Sequence, residues 1–335
     1  MSLPLARATL RAGEVVAAPL DSVRLALIRA LGRVGRALVR DRELRVVVQG
    51  FAFVVFTLCT CLLIPMWTLA LGPLLLGVPH LVSDLRYLVV RPAFYRDTAL
   101  VALTAPFLAA VSLGLGARVG LLAAAGVVLT RSRPGARRWW VGGAVAGLLA
   151  LAWWLGTTSD LLLAHAHNWI AVLLWWLWSP GGRRRGWVVL AYVAVLVALL
   201  AGLADVALIW HDPGMGVGQH LAALAPGVPG PLAVRLLIAF GFAQSMHYAV
   251  WLRLMPDEDR PRETPRTFAS SWRALVADFG PGPLLVAVAV SAGLVGWALL
   301  DLAAAHTGYL RLAAFHGSLE VCALVALALG DRGAR

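Results

Sequence analysis

Two pairs of side chains in this sequence combine an imidazole with a carboxylate at helical spacing. His80 and Asp84 stand four residues apart in one apolar stretch, and His316 and Glu320 do the same in another. Residues four apart lie on the same face of an α-helix, so each pair can direct a nitrogen and an oxygen ligand at one point. A charged side chain in the hydrocarbon core of a membrane costs about 2.5 to 3.5 kcal/mol. Two carboxylates there require compensation, and a metal ion would supply it.

Three further histidines fall inside predicted membrane spans. His247 lies in one span, and His165 and His167 lie in the outer part of another. Residues two positions apart in the sequence point about 200° apart around a helix of 3.6 residues per turn. We therefore expect only one of His165 and His167 to face the interior. The remaining histidines are predicted in or beside outer loops and are not candidates: His211, His220 and His306.

A set of imidazoles with a nearby carboxylate predicts a transition-metal centre. Neutral imidazoles suit iron, copper or zinc, and a few histidines with a carboxylate and open positions are typical of ferrous iron that activates oxygen. A carboxylate one turn from a ligand can also accept the other ring N–H and fix the tautomer. We therefore predict catalytic or orienting roles for Asp84 and Glu320, and the following metal ligands: His80, His165, His167, His247 and His316.

The elements that must position these residues are membrane spans. Of the 335 residues, 60% are hydrophobic and only 14% are charged, which is typical of an integral membrane protein. All 29 basic residues are arginine, and they cluster between the apolar stretches. This placement excludes the nucleic-acid partner that a net charge of +12 would otherwise suggest.

The apolar stretches predict a polytopic all-α bundle of about ten transmembrane helices in a single domain, residues 46–330. With both termini in the cytoplasm, the main arginine runs fall on the cytoplasmic side, as the positive-inside rule requires. We therefore predict a multi-pass protein of the bacterial cytoplasmic (inner) membrane. The fourth span is short and could be re-entrant. The ten predicted spans are 46–66, 69–90, 98–115, 119–130, 139–156, 160–178, 186–209, 232–254, 283–302 and 309–329.

Residues 1–45 form a basic segment with leucines and arginines at helical spacing. Charges interrupt it too often for a signal peptide or a span. The pattern predicts an amphipathic helix on an anionic cytoplasmic leaflet, with membrane lipids as its partner.

The chemistry-bearing windows come in an order that resembles a known family. Gly77-Val78-Pro79-His80 with Asp84 is followed by His165-Ala166-His167, then by Ser245-Met246-His247-Tyr248, and finally by His316 with Glu320. The order is similar to that of the Brp/Blh family of membrane-embedded carotenoid oxygenases. The similarity covers four short windows between residues 77 and 320.

The resemblance implies a helical bundle that holds non-haem iron through histidines and uses dioxygen to cleave the central double bond of β-carotene. It assigns ligand roles to His80, to His167 or His165, and to His247, with His316 and Glu320 completing or orienting the site. The expected partners are dioxygen and an apolar, lipid-soluble substrate, both of which partition into hydrocarbon. Another transition metal in place of Fe²⁺ stays open, as does the oligomeric state.

Two other classes of function stay open from the sequence. A lipid desaturase or hydroxylase would keep the metal, but the clustered histidine boxes of those enzymes are absent from the sequence. A proton-coupled transporter could relay charge through buried histidines and carboxylates, and a haem protein could use two facing histidines. The Trp210–His220 loop is expected to be an irregular surface loop rather than a second metal site or a lid.

Overall fold

The computed structural model describes residues 3–131, 134–178, 183–259 and 264–330. Within these ranges the regular structure is helical and contains no β-strand. The all-α class predicted from the sequence is therefore confirmed. Some arginines of the predicted basic runs, such as those at positions 133, 260 and 262, lie outside the described residues.

Sixteen α-helices follow one another in the described part of the chain, and each predicted apolar stretch overlaps one or more of them. Short π or 3₁₀ turns extend several of the helices. The α-helices are α1 Leu3–Ala30, α2 Gly32–Arg40, α3 Arg42–Leu63, α4 Pro65–Leu85, α5 Thr98–Ala110, α6 Ala117–Arg131, α7 Ala136–Leu155, α8 Thr158–Trp178, α9 Arg183–Ala201, α10 Val217–Leu224, α11 Gly230–Ala249, α12 Met255–Asp259, α13 Phe268–Phe279, α14 Pro281–Leu300, α15 Leu302–Ala313 and α16 Phe315–Ala328.

Seven helical segments among the described residues are long and apolar enough to cross a membrane, which indicates a membrane protein. Three of the ten predicted spans are not among them. Helix α6 has only 15 residues, about 22 Å at 1.5 Å per residue, which is shorter than the hydrocarbon core. Helices α7 and α11 have 20 residues each; α7 carries Arg137 and Arg138 near its start, and α11 contains Arg235, Gln244 and His247. The seven segments are Arg42–Leu63, Pro65–Val90, Thr98–Leu115, Thr158–Trp178, Arg184–Ala201, Pro281–Leu300 and Leu302–Ala328.

Helices α4, α11 and α16 occupy the interior of the bundle. In Pro65–Val90 and Leu302–Ala328, 56% of the most apolar window is buried, against 11% in Thr98–Leu115 and Pro281–Leu300. Helix α11 is buried on all sides from Leu237 to Gln244. A helix enclosed by protein all round can bring polar side chains to the centre of the bundle without exposing them to lipid. The site lies on these interior helices.

Helices α4 and α11 both continue directly into π-helical turns, Arg86–Val90 and Val250–Leu254. Such turns insert one extra residue into the helical repeat and are common at functional sites. Here each turn follows within a few residues of a candidate ligand, His80 on α4 or His247 on α11. The second turn contains Trp251, whose indole points into the site described below.

The basic segment at the start of the chain forms α1 and α2, and α1 packs against α13. The Asp21 carboxylate accepts hydrogen bonds from the backbone N–H groups of Phe268 and Ala269, at 2.8 and 3.1 Å, and so caps the start of α13. The Trp272 indole donates to the carbonyl of Thr9 at 3.1 Å. Several apolar side chains of α1 are exposed, including Val15, Val16, Val23 and Leu27.

Candidate metal centre

Four imidazoles from four different helices meet in the interior of the bundle. They belong to His80 on α4, His167 on α8, His247 on α11 and His316 on α16. The ring centroid of His80 lies 5.2 Å from that of His247 and 5.0 Å from that of His316. The ring of His167 lies 5.1 Å from His247 and 4.9 Å from His316, and His247 and His316 are 5.6 Å apart. We call these four residues the imidazole cluster.

Asp84 adds a carboxylate to the imidazole cluster. One ligand atom from each of His80, Asp84, His247 and His316 can be chosen so that all four lie within 4.8 Å of one another. Ligands at about 2.0 to 2.2 Å from one ion lie at most about 4.4 Å apart. The four groups therefore need only small side-chain adjustments to share an ion, and among the described residues no other set does so.

The backbone fixes the tautomer of two imidazoles. His316 Nδ1 lies 2.5 Å from the carbonyl oxygen of Ala313, and His167 Nδ1 lies 3.2 Å from that of Leu163. A carbonyl can only accept, so Nδ1 carries the proton in both rings and donates it. The lone pair of each neutral ring is then on Nε2, the atom that is free to bind a metal.

The other two imidazoles have no such partner. Neither ring nitrogen of His80 or His247 makes a hydrogen bond of good geometry, and neither oxygen of Asp84 makes one, although all three side chains are about 1% exposed or less. The carbonyls of Leu76 and Gly77 approach His80, and that of His167 approaches His247, without the geometry of a hydrogen bond. His80 Nε2 lies 3.8 Å from Asp84 Oδ2, too far for a hydrogen bond. An unpaired buried polar group costs about 1 to 3 kcal/mol, which coordination of an ion would remove.

Glu320 lies beside His247, beyond hydrogen-bond distance, and is itself held by Trp251. Its Oε1 lies 3.6 Å from His247 Nε2 and accepts a 2.6 Å hydrogen bond from the Trp251 indole. The carbonyl of Trp251 accepts a 2.6 Å hydrogen bond from the Ser83 hydroxyl on α4. These contacts connect α4, the π turn after α11 and α16 into one polar network beneath the imidazoles.

His165 does not join the imidazole cluster, which corrects its inclusion among the predicted ligands. Its Nε2 lies 2.9 Å from the carbonyl of Leu224, and its ring packs 5.1 Å from that of Phe240. The 200° separation from His167 explains the difference, because the turn of α8 that directs His167 inward directs His165 to another side. Of the two histidines, His167 is the one in the cluster.

The three histidines expected outside the site lie elsewhere. His211 is exposed. His220 on α10 and His306 on α15 form a separate buried pair, with ring centroids 5.9 Å apart. Residues 210–216 of the expected Trp210–His220 loop are irregular, whereas the stretch from Val217 to His220 belongs to α10. In the irregular part, the carboxylate of Asp212 accepts hydrogen bonds from the backbone N–H groups of Gly214, Met215 and Gly216. These bonds shape the loop locally.

Two tyrosines and a glycine at the site were given no role from the sequence, although Gly77 and Tyr248 belong to the windows that resemble the family. The ring of Tyr248 packs 4.8 Å from that of His80. Tyr309 on α15 occupies the space that a Cβ at position 77 would need, so Gly77 is required for its approach. Tyr248 directly follows a candidate ligand in the window of residues 245–248, whereas Tyr309 lies in a sequence region with no motif.

A cavity of about 390 Å³ adjoins the imidazole cluster. His167 and His316 form part of its wall, so a molecule in the cavity would contact the cluster directly. We call it the imidazole cavity. Its other lining residues include Leu163, Asn168, Phe240, Gln244, Tyr248, Tyr309, Leu310 and Ala313.

The donor set fits a divalent transition metal of intermediate softness. Imidazole nitrogens and a carboxylate oxygen suit iron, zinc or copper, and no thiolate belongs to the group. The unpaired atoms of His80, Asp84 and His247 are the structural observation that supports this fit. Comparison of the chain with protein-family models, with curated proteins and with solved structures gave no match. The function is therefore inferred from the chemistry of the site.

Proposed function

We propose that the protein is a membrane-embedded non-haem iron oxygenase that acts on a long apolar substrate with dioxygen. One observation carries the proposal: four imidazoles and two carboxylates converge in a buried interior, with ring nitrogens and carboxylate oxygens that have no other partner. Nitrogen and oxygen donors in this combination are typical of ferrous sites that activate oxygen.

Each residue of the site has a separate role in this proposal. His80, His247, His316 and Asp84 would hold the iron, with His167 as the fourth imidazole. Bound iron would supply a redox-active centre with positions for dioxygen. Glu320 orients the His247 ring, and Trp251 keeps the Glu320 carboxylate in place by donating its indole N–H.

The surroundings of the cluster suit a reaction between two apolar reactants. Dioxygen and long hydrocarbon chains both concentrate in the membrane interior, and the walls of the imidazole cavity are largely apolar. Water is scarce at this depth, which protects reactive species from side reactions. A water-soluble substrate would not need a catalytic centre on interior membrane helices.

The resemblance to the Brp/Blh family supports cleavage of a carotenoid-like polyene as the reaction. The family pairs a histidine like His247 with a second one four residues away, and in this chain Ala243 or Trp251 occupies that position, depending on the register. An indole does not bind metal as an imidazole does. Its hydrogen bond to Glu320 gives it an orienting role instead, so we propose a ligand set that lacks this histidine and includes Asp84.

For the topology we propose ten spans with both termini in the cytoplasm of a bacterial cell. The arginine runs between the apolar stretches support this arrangement, because it places nearly all of them on the cytoplasmic side. Helix α6 would be the short span. Helix α11 would cross the membrane inside a shell of other helices, which compensates for its polar residues.

Elemental analysis with an absorption spectrum tests the proposal on the full chain purified in detergent. We expect about one iron per chain and no Soret band. A Soret band would show a haem protein, and metal-free protein that moves protons in vesicles would show a carrier, so either result would reject an oxygenase. Coexpression in carotene-producing cells then tests the substrate, with retinal as the expected product.

A further inference from the structure

The imidazole cavity contains polar groups that a hydrocarbon substrate cannot satisfy. Asn168 and Tyr309 both line it, and each is 1% exposed. Asn168 Oδ1 and the Tyr309 hydroxyl have no hydrogen-bond partner. Gln244, which is also buried, adds an amide to the same wall. A cavity built only for hydrocarbon would be lined by apolar side chains, because each unpaired polar group is destabilising.

The Asn168 amide has a defined orientation. Its Nδ2 donates to the carbonyl of Ala164 at 3.3 Å. The opposite assignment would set the amide oxygen against that carbonyl, so Oδ1 is the atom left unpaired. An unpaired carbonyl oxygen requires a donor, which an ether, an ester or a simple ketone does not carry. The matching ligand group is a hydroxyl, which can donate to Asn168 and accept from Tyr309 or Gln244.

The position of Asn168 brings this hydroxyl close to the imidazole cluster. Asn168 follows His167 directly on α8, and both side chains line the cavity. A ligand whose hydroxyl reaches Asn168 therefore places its neighbouring carbons beside His167 and His316. Most of the other lining residues are apolar, such as Val111, Leu163, Phe240, Leu310 and Ala313, and the half-buried Asp160 and the exposed Arg311 also line the cavity.

Tyr248 lies between the imidazole cavity and a second cavity. This ring lines both the imidazole cavity and a second cavity of about 610 Å³, the lateral groove. The groove runs beside α3 and α4, and its walls include the exposed side chains Phe56, Trp67 and Leu76. Exposed apolar side chains on membrane-spanning helices face lipid, so the groove connects the bilayer to Tyr248.

We propose that the imidazole cavity binds the hydroxyl end of a long-chain alcohol, whose hydroxyl donates to Asn168 Oδ1 and whose chain passes Tyr248 into the lateral groove. As a statement about the substrate, this rests on the proposed function and narrows it to molecules with a hydroxyl end. As a binding site, it stands on Asn168, Tyr309 and the two cavities alone.

The test compares two probes on the full-length chain in detergent micelles. The first is retinol, a polyene alcohol, and the second is its methyl ether, which has the same chain but no O–H donor. Binding is measured as energy transfer from the protein's tryptophans to the polyene. We expect the alcohol to bind about tenfold more tightly, about 1.4 kcal/mol. Equal affinity for the two probes would overturn the proposal without any variant.

Two variants test whether Asn168 causes the preference for the alcohol over the ether. Asn168→Leu should bind alcohol and ether equally, because the acceptor is gone. Gln49→Leu is the matched control: Gln49 Oε1 is also buried and unpaired, but the residue lines a different cavity, beside α1 and α14. It should keep the tenfold preference. Preference for the alcohol that survives in Asn168→Leu would contradict the assignment.

Metal analysis of the same samples separates this inference from the proposed function. Wild-type protein without iron but with an Asn168-dependent preference for the alcohol would reject the oxygenase and keep the binding site. Iron-loaded protein that binds both probes equally would keep the oxygenase and reject the hydroxyl site. Asn168→Leu should hold as much iron as wild type, which also shows that the variant is folded.

Discussion

Two buried polar regions of this protein are built on different principles. At the predicted cytoplasmic end, the buried Glu258 carboxylate lies 2.9 Å from Arg42 and 2.9 Å from Arg185, and Arg185 also reaches Glu43 at 2.9 Å. Burial raises the pKa of Glu258, while the two arginines act in the opposite direction. We call these residues, Arg42, Glu43, Arg185 and Glu258, the arginine network. In it, the charge of each carboxylate is offset by an arginine in contact.

The imidazole cluster has no such matching. Its carboxylates, Asp84 and Glu320, are fully buried without an arginine in contact, and the nitrogens of His80 and His247 are unpaired. The buried Glu258 carboxylate has two arginines in contact through Oε2, whereas the carboxylates of the cluster have none, so the unpaired groups of the cluster point to an ion as their partner. The comparison predicts that variants in the two regions affect different properties, metal content in one and stability in the other.

The largest expected effect is on metal content. His80→Ala or His247→Ala should reduce bound iron to background, because each removes a ligand and leaves the remaining groups too few to hold the ion. The loss should exceed the about 10- to 100-fold typical of an outer-shell partner. His306→Ala is the matched control, a buried histidine outside the cluster, and should retain full metal. Full metal in His80→Ala would end the case for the cluster as a metal centre.

The next largest effect is on stability. Glu258→Leu removes the carboxylate between Arg42 and Arg185 and leaves buried guanidinium groups with less compensation, which costs about 3 to 5 kcal/mol for a broken buried pair. The melting temperature in detergent should fall clearly, while iron per folded chain stays unchanged. Asp205→Asn is the control, since its pair with Arg235 is solvent-exposed and should matter little. Loss of iron from folded Glu258→Leu would show that the two regions are coupled.

A smaller effect distinguishes a ligand from an orienting residue. Glu320→Gln should lower metal affinity about 10- to 100-fold, because the carboxylate orients His247 without belonging to the group that can share one ion. Metal titration of the stripped protein measures it. A loss as complete as that of His80→Ala would instead make Glu320 a ligand.

The sequence predicted the parts of this site that depend on one helix. The spacing of His80 and Asp84 puts both on one face of α4, and the two-residue step between His165 and His167 allows only one of them inside. Contacts between helices could not be predicted from the sequence. Glu320 stands one turn from His316, yet it pairs with His247 and Trp251 on another element, because the neighbour of a side chain depends on how helices pack.

The same limit applies to the fold and to the cavity. Apolar stretches located helices but did not reveal that the part of α11 with Gln244 and His247 is shielded by its neighbours. Tyr309 approaches Gly77 across two helices that are more than 200 residues apart in the chain. A single sequence without a motif at Tyr309 holds no local pattern from which this approach can be predicted.

The smallest expected effect is on the pH dependence of stability, and it concerns the second histidine pair, His220 and His306. Burial lowers the pKa of His220, with Asp212 acting in the opposite direction. The folded-state pKa therefore lies below the ordinary value, about 6.5. His220 contributes its full stability above pH 6.5 and loses it as the pH falls toward the lowered value, because the unfolded chain then binds the proton more readily.

Acidification from pH 7 to pH 5 should thus lower the melting temperature of the wild type more than that of His220→Phe, by a few degrees at most. Both should be measured on metal-stripped protein, so that protonation of the cluster contributes equally to the two. Added iron should then raise the melting temperature of both proteins by the same amount, since an ion bound only to the folded cluster stabilises by mass action and His220 takes no part. A smaller increase in His220→Phe would mean that the second pair also binds the metal, and the distinction between a structural histidine pair and a metal-binding cluster would fail.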